Sequence, residues 1–243
     1  MYLPYFHKMN FEELTISYLS DTAIILNFDS KIDETINSKV LYLFHKFKTL
    51  GLPFVKDIIP AYSSLVISYD LLIIKNQKAG NKSCIEIFSD MVKEFMKIDL
   101  ETTSSLSRKI KIPVCYDEKF APDLSYISKE KKIDIKDIIQ LHTSISYRVY
   151  MIGFLPGFPY MGEVDKKIAV PRKTDPRNKV ETGSVGIAGL QTGIYPLDSP
   201  GGWQIIGRTP MRLFNKAKED PVLLQPGDEI EFYSITEDEY TNY

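Results

Sequence analysis

The sequence predicts an α+β protein with a small layered domain over residues 1–100 and a β-barrel or β-sandwich domain over residues 108–243. Three observations support this prediction. In the first hundred residues, two strand-like segments are followed by a helix-like segment, and this order occurs twice. Beyond residue 108, short strand-like runs are separated by Gly and Pro turns. Ten of the thirteen glycines lie between Gly153 and Gly207.

The first domain is predicted from local signals along the chain. Two strands are expected in 12–28, a helix in 33–50, two strands in 55–70 and a second helix in 83–98. A Ser20-Asp21 turn separates the first two strands. Gly51 and Pro53 are expected to end the first helix, because glycine favours helix C-termini and proline cannot continue a helix.

The second domain begins after a polar segment without periodicity, residues 99–108, which we interpret as the linker. The strand-like runs that follow are RKIKIPVC, YRVYMIGF, SVGIAG, TGIYP, WQIIG, MRLF and EIEFYSI. A helical segment near 122–145 interrupts them, with Asp134 as its candidate N-cap. One face of this helix carries isoleucines and His142. Residues 226–228, Pro-Gly-Asp, are expected to form a turn.

Composition excludes several classes of protein. The chain has 243 residues, a net charge of −2 and a pI near 6.0, so nucleic acid and anionic membranes are not expected partners. No apolar run approaches the ~18–20 residues that span a bilayer, and the N-terminus lacks a secretory signal. The two cysteines, Cys84 and Cys115, form no CxxC motif. We therefore expect a cytoplasmic protein without a metal site.

The sequence contains no GxSxG elbow, no GxxxxGK[ST] phosphate loop, no HExxH and no GxGxxG. Its unusual segments are instead rich in glycine, proline and aromatic residues. GFLPGFPYMG, residues 153–162, is either a rigid loop joining two strands or the wall of a groove that stacks a ligand. GSVGIAG, residues 183–189, is typical of a barrel strand or bulge.

Arginine is concentrated in the same region. Four of the six arginines are residues 172, 177, 208 and 212, although the chain has 24 lysines. Arginine is preferred where a carboxylate or phosphate is bound by two parallel hydrogen bonds. Arg172 and Arg177 lie in the Pro-containing loop VPRKTDPRN, residues 170–178. The alternative is ordinary surface charge, or pairing with Asp175 and Glu181. His142 likewise has two interpretations, a buried core residue or an acid–base group.

The segment from residue 193 to residue 210, GIYPLDSPGGWQIIGRTP, contains the only tryptophan of the chain. Residues 199–202 are expected to form a tight turn that approaches another group closely. A strand then begins at Trp203, with Gln204 on its opposite face. These features predict a polar groove on the barrel. Its candidate residues, besides Arg172, Arg177 and Arg208, are Phe158, Tyr160, Gln191, Thr192, Tyr195, Ser199, Gly201, Gly202, Trp203 and Thr209.

GFLPGFPYMG, PRKTDPR and GSVGIAGLQTGIYPLDSPGGWQIIGRTP, in this order, resemble the signature of the KipI/PxpB family, formerly called allophanate hydrolase subunit 1. The resemblance implies a ferredoxin-like N-terminal domain followed by a cyclophilin-like β-barrel. It also implies the B component of an ATP-dependent 5-oxoprolinase, which opens 5-oxoproline to glutamate and uses ATP with Mg. The implied partners are a PxpC-like protein and a PxpA-like protein, and the chain is expected to be inactive alone.

On this resemblance, candidate roles can be given to the groove residues. Arg172, Arg177 and Arg208 are expected to face developing phosphate charge. Backbone N–H groups at Gly201-Gly202, together with Gln191 and Thr192, are expected to bind the substrate carboxylate, and His142 is the candidate proton carrier.

Two further functions belong to the same lineage. One is a KipI-type inhibitor that binds a sensor histidine kinase and blocks its autophosphorylation. The other is a carboxyltransferase-type subunit related to urea carboxylase, acting on a biotinylated carrier. The groove motifs alone do not separate these functions.

Overall fold

The structure is a computed structural model that describes residues 9–11, 14–29, 31–76, 82–96 and 107–243. The chain divides into two compact units, Met1–Ser105 and Leu106–Tyr243. Each unit contains a hydrophobic core of its own. Most of the predicted linker, residues 99–106, lies outside the described residues.

The first unit is built on an antiparallel sheet of five strands. They are β1 (Met9–Phe11), β2 (Leu14–Ser20), β3 (Ala23–Asn27), β4 (Val55–Pro60) and β5 (Ser64–Tyr69), in the spatial order β1-β2-β3-β5-β4. Its helices are α1 (Glu34–Leu50), α2 (Leu71–Ile74) and α3 (Cys84–Met96). The predicted strands and helices of this unit are therefore present, and β1 and α2 are additions to the prediction.

Helix α1 begins and ends where its sequence signals indicate. The Asp33 side chain accepts a hydrogen bond of 2.9 Å from the Ile36 N–H, which satisfies one of the free N–H groups of the first turn. Gly51 follows the last turn with φ of 54°, a left-handed conformation that glycine adopts without steric cost.

The sheet packs against α1 and α3 through the residues of one face. Because side chains alternate along a strand, every second residue of β3 and β5 is buried, as are Leu14 and Ile16 of β2. Ile16, Ile24 and Ile67 are completely buried in this core. The name "ferredoxin-like" stays an interpretation that rests on the family resemblance.

The second unit is a closed barrel, as the resemblance predicts. Its seven strands are β6 (Lys109–Cys115), β7 (Ser146–Ile152), β8 (Pro159–Gly162), β10 (Ser184–Ala188), β11 (Gln191–Ile194), β13 (Gln204–Arg208) and β14 (Glu229–Ile235). Their order around the barrel is β10-β11-β8-β7-β14-β6-β13, and β13 pairs with β10 to close it. All pairs are antiparallel except β6 with β14. A separate ribbon pairs β9 (Arg177–Val180) with β12 (Ser199–Gly201).

The helical segment near 122–145 is two helices rather than one. They are α4 (Leu124–Lys131) and α5 (Ile135–Thr143), and Lys132 ends the first of them in a left-handed conformation with φ of 55°. Asp134 occupies the N-cap position of α5, but its side chain forms no capping hydrogen bond. Ile138 and His142 are the buried residues of α5, as the predicted face requires.

Two further details differ from the prediction. MRLF, residues 211–214, is not a strand, since Phe214 forms only an isolated bridge with Val222. The chain ends with α6 (Glu237–Thr241), which begins with a capping box between Thr236 and Glu239. In the part of the chain that the structure describes, every helix is too short or too polar to cross a bilayer.

Candidate functional site

The two faces of β13 belong to two different clusters. Ile206 faces the main core of the barrel, whereas Trp203 and Ile205 face a smaller cluster on the other side of the strand. The buried members of this smaller cluster, which we call the tryptophan cluster, are Phe158, Val180, Ala188, Tyr195, Trp203 and Ile205. Tyr160 is half-buried and packs against it. The predicted alternation is therefore confirmed for Ile205 and Ile206, and β13 begins at Gln204, one residue later than predicted.

Glycines leave the space that the aromatic rings occupy. A Cβ on Gly193 would lie 2.9 Å from the Phe158 ring and 3.0 Å from the Trp203 ring. A Cβ on Gly201 would collide with the Tyr195 hydroxyl. This explains why GIYPLDSPGGW combines aromatic residues with glycine. Each aromatic ring occupies space that a side chain at Gly193 or Gly201 would fill.

The tight turn predicted at residues 199–202 is absent. Residues 199–201 form the strand β12, in which Ser199 pairs with Val180 and Gly201 with Arg177. The close approach predicted for this segment is present, however, because the Tyr195 ring packs directly against Gly201. The Tyr195 hydroxyl accepts a hydrogen bond from the Trp203 backbone, while burial raises the pKa of this phenol.

The PRKTDPR loop lies against this aromatic segment, so the structure brings two of the predicted motifs together. The Lys173 backbone N–H donates to the Gly202 carbonyl at 2.7 Å. On the other side of Arg172, the Gln204 Nε2 donates to the Pro171 carbonyl at 3.2 Å. The backbone is therefore held on both sides of Arg172.

Arg172 itself is exposed, and its guanidinium carbon lies 5.9 Å from the centre of the Trp203 ring. This distance is typical of a cation–π contact. Within the described ranges, Arg172 forms no ion pair with a carboxylate. Burial raises the pKa of Tyr160, and the charge of Arg172 opposes that shift.

Arg177 is bound by a carboxylate that the sequence analysis missed. Its Nη2 donates to Asp123 Oδ1 at 2.7 Å, and Lys173 Nζ lies 3.6 Å from the same oxygen. The second oxygen, Oδ2, accepts the Ile205 backbone N–H at 2.6 Å. The expected alternative of pairing with Asp175 or Glu181 is therefore wrong for Arg177. The sequence does place Asp123 at the start of the predicted helical segment. An aspartate at that position does not show, however, that its partner is Arg177, 54 residues away.

Arg208 lies at the far end of β13 from Trp203, roughly 16 Å away at about 3.3 Å per residue. It forms an ion pair with Glu181, as the surface-pairing alternative predicted, and stacks on Phe120 with 5.3 Å between guanidinium and ring centre. Thr209 follows it and is buried, and its Oγ1 accepts a hydrogen bond from the Met211 N–H. These two residues do not lie with the tryptophan cluster.

His142 is a core residue of the barrel and not part of an open groove. Its ring is completely buried and stacks on Phe232 with ring centres 4.7 Å apart. Its Nδ1 is 2.8 Å from the Tyr116 hydroxyl, and its Nε2 is 3.1 Å from Thr192 Oγ1. Thr192 in turn donates to the Gly186 carbonyl. This chain of hydrogen bonds is satisfied when Nε2 carries the proton and Nδ1 accepts from Tyr116.

Burial lowers the pKa of His142 to about 3, so the ring is neutral at physiological pH. With both ring nitrogens bonded inside the protein, it exchanges no proton with a ligand at the surface. The structure therefore removes His142 and Thr192 from the candidate site. The physical reason is that they share the barrel interior, which the order of residues along the chain does not reveal.

The remaining predicted residues are close to the cluster but contribute less to its surface. Gln191 is half-buried on β11 beside Gly162 of β8. Ser199 is buried, and its hydroxyl donates to the Pro200 carbonyl at 3.1 Å. The accessible part of the site is therefore formed mainly by Arg172, Tyr160 and the backbone around Gly201 and Gly202.

Phe154 is an aromatic residue of this surface that the sequence analysis did not select. It is 64% exposed, and its ring centre lies 5.8 Å from that of Phe158. Its φ of 65° is uncommon for a residue other than glycine. The GFLPGF motif indicated an aromatic loop, but only the backbone conformation shows which ring faces solvent.

Three cavities lie away from Arg172. Their volumes are about 510, 580 and 310 Å³. The first lies in the first unit beside Phe47, the second beside Tyr233 and the third beside Arg212. None of the three is lined by Arg172, Tyr160 or Trp203. Among the described residues, no group of three His, Cys, Asp or Glu side chains is arranged to hold a metal ion.

The family model described as "Carboxyltransferase domain, subdomain C and D" matches residues 14–224. A protein of Bacillus subtilis (strain 168), named as the B subunit of 5-oxoprolinase, is 40% identical over 94% of this chain and 95% of its own length. One of the same name from Escherichia coli O157:H7 is 34% identical, over 88% of this chain and 93% of that protein. A urea amidolyase from Lachancea kluyveri is 28% identical over 90% of this chain but only 13% of its own length.

Solved structures give a consistent result. The conserved uncharacterized protein PH0987 from Pyrococcus horikoshii is 39% identical, with a TM-score of 0.53 over 93% of this chain and 99% of that one. TTHA0988 is 31% identical with a TM-score of 0.74, and this chain spans 40% of its length. The urea carboxylase of Kluyveromyces lactis, at 20% identity and a TM-score of 0.69, shows the shared fold alone.

Proposed function

Because this chain belongs to the carboxyltransferase-domain family, subdomains C and D, and within it to the B subunits of 5-oxoprolinase, we propose that it acts in an ATP-dependent 5-oxoprolinase complex. One observation carries the proposal. The 5-oxoprolinase protein from Bacillus subtilis matches 94% of the chain at 40% identity, over 95% of its own length. A match of both proteins over nearly their full length supports a shared role, not merely a shared domain.

The proposed reaction opens the lactam of 5-oxoproline to give glutamate. A lactam is a poor electrophile, and transfer of a phosphoryl group from ATP to its oxygen activates the ring carbon. Water then adds to this carbon and the ring C–N bond breaks, so the nitrogen becomes the free amine and the new carboxyl group carries the phosphate. A second water hydrolyses this acyl phosphate to glutamate and phosphate. Such a reaction needs cationic groups near the phosphates and a fixed position for the substrate. In this chain, the surface around Arg172 and Tyr160 is the best candidate for the group of residues that fixes the position of the substrate.

The triphosphate of ATP is not matched by the cations of this surface. Arg177 and Lys173 share Asp123, and Arg208, which lies away from this surface, is paired with Glu181. One exposed guanidinium is too little charge for a triphosphate, which proteins usually bind with several donors and a metal ion. We therefore assign nucleotide and Mg binding to the other proteins of the complex.

The exposure of Arg172 supports a role within an assembly. Small-molecule sites usually enclose most of their ligand's surface. The three cavities described above lie away from Arg172. We infer that a PxpC-like protein covers this face, that a PxpA-like protein completes the complex, and that the chain alone is inactive. Cys84 and Cys115 are free and buried, in keeping with a cytoplasmic location.

A carboxyltransferase role is the second candidate. The family model carries this description, and urea amidolyase from Lachancea kluyveri is similar over 90% of this chain. The lower identity of that relative, 28% against 40%, makes the 5-oxoprolinase proposal the stronger one. The KipI-type inhibition of a histidine kinase stays a prediction, to be tested by measuring kinase autophosphorylation in the presence of the chain.

The test is co-expression of this chain with its PxpC-like and PxpA-like partners, followed by an assay of glutamate release from 5-oxoproline. We expect release that depends on ATP and on all three proteins. Omission of ATP and omission of this chain are the two controls. An assembled complex that releases no glutamate would exclude the proposal, and transfer of a carboxyl group from a biotinylated carrier would favour the second candidate.

A further inference from the structure

Among the described residues, the charges around the tryptophan cluster leave one cation without a carboxylate partner. Two of the three cations there face a carboxylate, since Lys173 and Arg177 both contact Asp123. Arg172 contacts none in the described part of the chain. The other acidic residue of its loop, Asp175, is exposed. The three cations Arg172, Lys173 and Arg177 and the two carboxylates Asp123 and Asp175 leave an excess of one positive charge, which matches a ligand with a single carboxylate.

The backbone that carries Arg172 is also held in place, and its guanidinium lies over an aromatic ring. Pro171 precedes Arg172 and restricts the backbone, and the Pro171 carbonyl accepts from Gln204 at 3.2 Å. The Lys173 N–H donates to Gly202 at 2.7 Å. The Trp203 ring lies behind the guanidinium at 5.9 Å. A cation fixed before binding loses less conformational entropy when a ligand arrives.

A flat apolar surface lies beside this cation. The Tyr160 ring is half-buried, with its centre 5.9 Å from that of Trp203 and 4.9 Å from that of Phe158. The Arg172 guanidinium and the Tyr160 ring each lie 5.9 Å from the centre of the Trp203 ring, so both are neighbours of one aromatic side chain and one small ligand there can contact both. A guanidinium next to an aromatic face suits a compound with a carboxylate on a small ring.

We propose that Arg172 binds the carboxylate of the substrate while Tyr160 contacts its ring. This proposal rests on the proposed function for the identity of the substrate, 5-oxoproline. It replaces the sequence-based assignment in two ways. Arg172 faces a carboxylate rather than a phosphate, and Thr192, buried beside His142, has no part in binding. Arg177 becomes a positioning residue that connects the loop to Asp123.

Steady-state kinetics of the assembled complex test the assignment. Arg172→Ala is expected to raise the KM for 5-oxoproline at least about tenfold, because a charge-assisted pair of hydrogen bonds is lost. The KM for ATP should stay unchanged, and Arg172→Lys should give an intermediate KM. Arg212→Ala is the matched control, since Arg212 is also an exposed arginine of the barrel unit but lies beside another cavity.

A second substrate identifies the group that Arg172 contacts. The wild-type complex should discriminate against 5-oxoprolinamide, in which an uncharged amide replaces the carboxylate. Arg172→Ala should lose most of this discrimination, whereas a general defect would lower the efficiency with both compounds equally. An Arg172→Ala complex with an unchanged KM for 5-oxoproline, or with a raised KM for ATP alone, would overturn the assignment.

Binding without turnover separates this proposal from the proposed function. Calorimetry of 5-oxoproline with the wild-type and Arg172→Ala complexes, without ATP, should show at least about tenfold weaker binding to the variant. If the wild-type complex binds 5-oxoproline but releases no glutamate, the proposed function fails and the assignment of Arg172 stands. If it does not bind 5-oxoproline at all, the assignment fails.

Discussion

At the scale of single residues, glycine and aromatic side chains form one packing unit. The Phe158 ring meets the Tyr195 ring at 82° and the Trp203 ring at 84°, with the centres of Phe158 and Trp203 5.3 Å apart. Such edge-to-face pairs add to the energy of burying the rings. Gly193 and Gly201 leave room for them, because a Cβ at either position would overlap a ring. The residues selected as groove residues therefore also stabilise the barrel.

Gly193→Ala tests this packing role. Its Cβ would lie 2.8 Å from the Pro159 carbonyl oxygen, so the cluster must shift. We expect the free energy of unfolding to fall by about 1–3 kcal/mol, the usual cost of overpacking. Denaturant unfolding followed by the fluorescence of Trp203, the only tryptophan, measures this in the barrel unit.

Gly202→Ala is the matched control for Gly193→Ala. A Cβ on Gly202 meets nothing closer than 3.6 Å, which is an ordinary contact. The control should therefore change stability far less than Gly193→Ala. Equal losses for the two variants would mean that close packing against Phe158 and Trp203 is not the cause.

At the scale of elements, Asp123 connects three parts of the barrel unit. It lies at the start of α4, accepts the backbone N–H of Ile205 in β13, and pairs with Arg177 at the start of β9. The carboxylate is only 5% exposed, so its partners replace the water that it loses. This link holds the PRKTDPR loop against the strand that carries Ile205.

Asp123→Ala should lower the free energy of unfolding by about 2–4 kcal/mol, because it leaves a buried N–H and a partly buried guanidinium without their acceptor. Asp123→Asn, which keeps an acceptor for Ile205, should cost less. Lys119→Ala is the control, since it removes the exposed Lys119–Glu237 pair and should change stability by less than about 1 kcal/mol. If Asp123→Ala were as stable as the control, the link would not hold the loop.

At the scale of the whole molecule, the two units have separate cores, and they differ in whether they contain predicted site residues. The first unit contains a cavity of about 510 Å³ beside Phe47, but the predicted site residues all lie in the second unit. The barrel interior contains a neutral histidine with hydrogen-bonded partners, Tyr116 and Thr192. The stability of the barrel is therefore coupled to pH through a group that the proposed reaction does not use.

The stability of the barrel unit should fall as the pH is lowered from about 6.5 towards 3. In the unfolded chain, His142 has an ordinary pKa near 6.5 and binds a proton below it, whereas burial holds the folded pKa at about 3. The unfolded state therefore gains protons that the folded state does not, which contributes a slope of about 1.4 kcal/mol per pH unit. Above pH 6.5 this contribution is constant, because His142 is neutral in both states.

The measurement is unfolding of the full chain, followed by Trp203 fluorescence, at several pH values for the wild type and for His142→Asn. The substitution removes the titrating group, so its stability should vary less between pH 6.5 and pH 4, whatever its absolute stability. A wild-type chain and a variant with the same slope would show that His142 does not control the acid sensitivity of the barrel.

Most of the local structure follows from the order of residues along the chain. Helical spacing and the Asp33 and Gly51 signals placed α1, and short runs between Gly and Pro turns indicated a β-rich second unit. These features depend on neighbours along the chain, and periodicity and turn chemistry report such neighbours directly. The motif order also led to the family, which the comparisons confirm.

Which of the selected residues share a surface depends instead on the three-dimensional fold. His142 and Thr192 are 50 positions apart and meet inside the barrel, and Arg177 meets Asp123 across 54 positions. Such contacts depend on barrel closure and strand register, which place distant residues on one face or the other. Residue type alone could not show that Arg177 and Arg208 are paired with carboxylates while Arg172 remains exposed beside Trp203, because that difference arises from packing between segments far apart in the chain.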